Sequence, residues 1–156
     1  MSLFLFLLAC GIPSVPVEEA ATTPMLRQRT IQLTGGEVRA DLSASWSRSC
    51  SPTGRMPGRG QTPCQPLFVG LAPVVPSGWR PKQPVTAWVT CSSAIKQADE
   101  CEALLAAQTG TIEGRVLSLY DSSTPTSGWE KAIANASTRH GLSSVEKAPV
   151  ILISRP

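Results

Sequence analysis

From Glu37 to Trp46 the chain alternates polar and apolar residues for ten positions without a break. Val38, Ala40, Leu42, Ala44 and Trp46 fall on one face, and Glu37, Arg39, Asp41, Ser43 and Ser45 fall on the other. A period of two is the mark of a strand with one dry face, and such a strand needs a sheet around it. Upstream, Thr30-Ile31-Gln32-Leu33-Thr34 alternates in the same way, and Gly35-Gly36 between the two runs offers a two-residue turn. The pair is therefore expected as an antiparallel hairpin.

The remaining elements follow from similar patterns. Residues 48–66 make a long loop rich in Pro, Gly and Arg, bracketed by Cys50 and Cys64. Leu67 to Val75 is apolar without alternation and reads as a buried strand, broken or bulged near Pro73. Pro76-Ser77-Gly78-Trp79-Arg80-Pro81 is a turn, and Val85 to Cys91 is a strand. A helix follows from about Ser93 to Gln108, with Ala94, Ala98, Cys101 and Leu105 on one stripe and Gly110 as its stop. Thr111 to Tyr120 is a strand. Ser127 and Glu130 then match a capping box ahead of a stripe of Trp129, Ala132, Ile133 and Ala136, with Gly141 suited to the C-terminal cap. Val150 to Ile153 is a last strand, apolar on both faces.

This order predicts an α+β fold with a mixed, mainly antiparallel sheet of five or six strands and two helices packed on one face. The βαβαβ tail also suits a small doubly wound α/β domain. With 156 residues the chain fits one domain. Its 42% hydrophobic and 16% charged content is too apolar for a disordered polyampholyte. No apolar run approaches the roughly 20 residues a membrane-spanning helix needs.

At the N-terminus a short apolar core, Leu3 to Leu8, ends in Ala9 and Cys10. Leu7-Leu8-Ala9-Cys10 resembles the lipobox of bacterial lipoproteins. The resemblance covers residues 1–11 and implies cleavage after Ala9, a diacylglyceryl thioether on Cys10 and acylation of the new amine. Several acyl chains on one residue hold a protein firmly at a membrane, where one chain holds it only marginally. Gly11 after the modified cysteine, in place of the Asp that marks inner-membrane retention in enteric bacteria, leans toward an outer-membrane anchor facing the periplasm. Residues 13–24 carry Pro13, Pro16 and Pro24 among small and polar residues and read as an extended tether. The expected organisation is a signal peptide over 1–9, a lipid-anchored flexible linker over 10–26 and a single domain over 27–156.

The chain has five cysteines: Cys10, Cys50, Cys64, Cys91 and Cys101. With Cys10 assigned to lipid by the resemblance, four remain, enough for two disulfides in an oxidising compartment. Three connectivities exist; Cys50–Cys64 and Cys91–Cys101 are favoured because each pair brackets a short segment. No two cysteines lie closer than ten positions, so the paired spacing of a cysteine zinc site is missing. With one histidine, His140, a metal site needing two imidazoles is excluded, and no cofactor motif is present. Gly54 to Thr62 lacks the spacing and lysine of a phosphate loop.

Charge is unevenly placed. From Arg27 to Lys82 there are eight basic residues against Glu37 and Asp41, and no acid stands between Asp41 and Asp99. A basic surface attracts anions. Arg48, Arg55 and Arg59 in the loop, with Trp79 in its turn, are the expected contact residues for an envelope protein or an anionic envelope polymer. Nucleic acid is not an expected partner, because the loop lacks interleaved aromatics and the inferred compartment is wrong for it. The expected role is a non-catalytic, lipid-anchored envelope protein. Two other readings stand beside it. One is a small exported hydrolase using His140 with a spatially adjacent Ser or Asp. The other is a structural subunit pairing through an open sheet edge. Asn135-Ala136-Ser137 matches a glycosylation triplet but falls in the middle of the last helix.

Overall fold

The computed structural model describes residues 11–25, 27–50, 66–93, 98–123 and 128–153. The elements in chain order are β1 (Ser14–Pro16), β2 (Thr30–Thr34), β3 (Gly36–Val38), β4 (Ala44–Arg48), β5 (Leu67–Pro76), β6 (Ala87–Ser93), α1 (Ala98–Ala106), β7 (Ile112–Leu119), α2 (Gly128–His140) and β8 (Pro149–Ile153). Single 3-10 turns occupy Val17–Glu19 and Ala40–Leu42. Among the described residues, eight strands form one mixed sheet in the order β1-β2-β7-β8-β6-β5-β3, with β4 also on β5. β1–β2 and β6–β8 are parallel, and the other pairs are antiparallel. The mixed sheet and two helices agree with the sequence reading; the strand number exceeds it.

The expected hairpin does not form. β2 pairs with β7, and β3 pairs with β5. Gly35, at φ 70°, turns the chain by one residue between them, so the strand continues from one neighbour to the next without folding back. The stretch from Thr30 to Val38 thus links β2, next to one end of the sheet order, with β3 at the other end, and the sheet curls. A Cβ on Gly36 would meet Val17 Cγ1 at 3.0 Å and Val74 Cγ1 at 3.2 Å, so only glycine lets this closure pack so tightly. Inside the curl lies one core cluster, to which β1, β2, β5, β6, β7, β8 and α1 contribute Val15, Leu33, Val74, Val89, Ile112, Ile151 and Leu105 among others.

The ten-residue alternation is also divided. The turn at Ala40–Leu42 interrupts it, braced by a bidentate pair in which Arg39 Nε donates to Asp41 Oδ1 at 2.8 Å and Nη2 to Oδ2 at 2.6 Å. That hydrogen-bonded guanidinium holds the Asp41 carboxyl below the usual carboxylate range. Val38 before the turn packs on the first cluster, while Leu42, Ala44 and Trp46 after it pack on a second.

The second cluster lies on the outer face of the sheet and takes Ala132, Ile133 and Ala136 from α2 with Val69, Leu71, Trp88 and Val150. α1 instead places Cys101 and Leu105 in the first cluster. The two helices therefore cover opposite faces, not one; β7 and β8 are antiparallel, so the βαβαβ tail is not doubly wound. β5 records this double burial, since every residue from Phe68 to Val75 is buried, Val69 and Leu71 toward α2 and Phe68, Ala72 and Val74 inward.

β5 is not broken at Pro73. The Pro73 carbonyl accepts from the Arg39 N–H at 3.0 Å, and a residue's nitrogen faces the same side as its carbonyl. The missing N–H therefore points to the gap between β3 and β4, where no ladder donor is required. The helix stops are as the sequence suggests: Gly110 and Gly141 take φ 70° and 68°, and the Gly141 N–H donates to the Ser137 carbonyl at 3.0 Å. Ser127, the expected N-cap, lies outside the described residues.

Residues 14–20, expected within a tether, are instead folded onto the domain. Ser14, Val15 and Pro16 register against Gln32, Leu33 and Thr34, and Val15, Val17 and Ala20 are buried. The prolines that suggested a linker suit an edge strand, which tolerates residues without an N–H.

Candidate functional site

The cysteines come first because they bear on where the chain works. Cys91 ends the buried run of β6 and Cys101 sits one turn into α1; they are disulfide-bonded with Cα atoms 5.5 Å apart. Both are only 4% exposed. A Cβ on Gly70 of β5 would lie 2.8 Å from Cys101 Sγ and 3.3 Å from Cys91 Sγ, so the bridge rests on bare backbone. A bridge sealed in this way acts as a staple between sheet and helix and is poorly placed for thiol exchange. Cys50 is also a disulfide cysteine. Its expected partner Cys64 lies outside the described residues, as does Cys10.

Of the expected contact residues, Arg48 and Trp79 are described. Arg48 is exposed at the end of β4, opposite Leu67; Arg55 and Arg59 lie outside the described residues. Trp79 is half-buried, packed on the second core cluster, with its indole nitrogen shielded from solvent and unbonded. Its ring packs against that cluster.

His140, at the end of α2, reaches across to the chain entering β4. Its Nε2 lies 3.0 Å from the Ser43 carbonyl oxygen, and Asn135 Nδ2 donates to the Ser45 carbonyl at 2.8 Å. Ser43 and Ser45 are alternate residues at the start of β4, so their carbonyls point the same way, off the sheet edge toward α2. The two side chains thus satisfy edge acceptors that no strand pairs, and α2 covers that edge. At the other edge, β1 is three residues long, preceded by Pro13 and ending in Pro16, a blunted edge that pairs poorly with a further strand.

A cleft of about 410 Å³ opens where the curl closes, lined by Gly35, Gly36, Glu37, Ser77, Gly110 and Thr111. It offers the Glu37 carboxylate and the Ser77 and Thr111 hydroxyls. Among the described residues no three of His, Cys, Asp and Glu cluster closely enough to hold a metal ion, and no helix is long and apolar enough to cross a membrane.

One grouping was not legible in the sequence. Thr30 registers against Arg115, the Val116 N–H donates to the Arg29 carbonyl at 2.9 Å, and the Gln28 N–H donates to the Val116 carbonyl at 2.7 Å. Arg27, Arg29 and Arg115, all exposed, therefore gather at the start of β2. The sequence places Arg115 alone on a strand, more than eighty residues from the other two; only the β2–β7 register joins them. Comparison with family models, with curated proteins and with solved structures finds no match to this chain.

Proposed function

We propose that this chain is an exported envelope protein, anchored by lipid on Cys10, whose domain binds an envelope protein or anionic envelope polymer and catalyses nothing. The observation that carries the reading is the buried Cys91–Cys101 bridge. Such a staple persists in an oxidising compartment and is rare in a reducing cytosol. It agrees with the Leu7-Leu8-Ala9-Cys10 motif, which directs a chain to such a compartment. The covered and blunted sheet edges weigh against assembly by strand pairing.

The test is the intact mass of the protein expressed from its own gene region, with and without reductant. The expected result is a chain beginning at Cys10 that carries acyl groups, with thiols that react only after reduction. An unmodified chain with freely reactive thiols overturns the export, anchor and partner readings together.

A further inference from the structure

We propose that the surface formed by Arg27, Arg29 and Arg115 lies against the anionic phospholipid headgroups of the membrane that holds Cys10; this rests on the lipid-anchor reading above. Two independent observations lead to it. The first is the length of chain between anchor and fold. Ser14 is already in β1, and the Gln32 N–H donates to the Pro13 carbonyl at 2.9 Å. Three residues lie between Cys10 and Ser14, and the four Cα–Cα steps give a covalent reach of at most about 14 Å. Roughly 5–8 Å of that is spent crossing the headgroup layer from the hydrocarbon boundary. The first strand is then held within about one Debye length, roughly 8 Å, of the charged surface. A domain on a long tether samples all orientations; this one has no such freedom.

The second observation is which side faces that surface. β1 runs parallel to β2 with Ser14 beside Gln32. Traced backward from Ser14, the chain therefore leaves alongside the start of β2, toward Thr30 and Arg29. That is where the β2–β7 register collects Arg27, Arg29 and Arg115. Glu113, on the same face of β7, stands further along, opposite Gln32, whose Nε2 donates to its Oε2 at 3.1 Å. The carboxylate is thus level with Ser14, behind the outgoing chain, and the three arginines outnumber it where the chain leaves. A basic surface at this distance is drawn to anionic lipid, each arginine strengthening binding about fivefold.

The experiment uses the full chain carrying Cys10→Ser, so that acylation plays no part. It measures co-sedimentation at low salt with vesicles of phosphatidylcholine, with and without phosphatidylglycerol. Binding to the anionic vesicles is expected to weaken about 25-fold with Arg27→Ser and Arg29→Ser, and on the order of a hundredfold when Arg115→Ser is added. The pair Lys131→Ser and Arg139→Ser, on α2, removes the same charge as the first pair and is expected to change binding by less than about twofold. Equal loss from the α2 pair, or no loss from the triple variant, overturns the proposal. All five side chains are exposed, and unchanged melting temperatures exclude misfolding as the cause. Arginine-dependent binding by a chain whose native form lacks lipid on Cys10 refutes the anchor and leaves the surface; a lipidated chain with arginine-independent binding does the reverse.

Discussion

Replacing both Cys91 and Cys101 with Ala tests the staple that supports the compartment reading. The bridge closes a loop with a sequence separation of 10. Loop-closure entropy for that length restrains the unfolded chain by about 2.7 kcal/mol. Each deleted sulfur is buried and its loss resembles deletion of a core methyl group, about 0.5–1.5 kcal/mol apiece. The total is about 4–6 kcal/mol, which for a domain of this size lowers the melting temperature by roughly 8–24 °C. Thermal unfolding followed by tryptophan fluorescence reads the loss, because Trp88 lies in β6 three residues before Cys91. The wild-type chain with its disulfides reduced should melt no higher than the variant. A drop below about 3 °C refutes the reasoning. It would mean that α1 and β6 hold their places without the bridge, and that the cysteines say little about compartment.

Gly114→Ala should cost about 3 kcal/mol in urea unfolding, since its Cβ would meet Ile151 Cγ2 and lie 2.5 Å from the Leu152 carbonyl oxygen, and a backbone atom yields little; a cost under 1 kcal/mol would show that the β7–β8 pair is looser than described. Asn135→Ala and His140→Ala should each lose about 0.5–1.5 kcal/mol and speed amide exchange in β4 while leaving α1 unchanged; no change in β4 exchange would refute the edge cover. Tyr120 is the one tyrosine, so phenolate absorbance reports it alone. Burial, then the nearby Glu146, Glu130 and Asp121 carboxylates, raise its pKa above the ordinary phenol value. The folded protein then keeps this proton where the unfolded chain has lost it, so stability should fall as pH rises from about 10 through the raised value. A midpoint at or below about 10 contradicts the described packing.

Local patterns foretold the elements and left their partners open. The helix stripes, Gly110, Gly141 and the apolar run of β5 were legible because each depends on residues within one or two turns. The Cys91–Cys101 pair was legible too, since it brackets a strand end and the next helix. Partnership was not. Gly35-Gly36 satisfies the local chemistry of a hairpin as well as that of a one-residue bend, and the choice depends on whether β7 or β3 offers β2 the better ladder. Alternation from Glu37 to Trp46 shows that one face is dry but cannot say that the face belongs to two cores. That division comes from the turn at Ala40–Leu42, whose 3-10 geometry re-aims every side chain after it. His140 and Asn135 show the same limit at the site: composition marks them as polar groups on a helix, and only the docking of α2 beside β4 makes them partners for the Ser43 and Ser45 carbonyls. Arg115 joins Arg27 and Arg29 through a strand register formed across more than eighty residues. Hydrophobic period and turn chemistry are properties of neighbours in sequence. Pairing and charge grouping are settled by competition among distant segments for the same ladder and the same core.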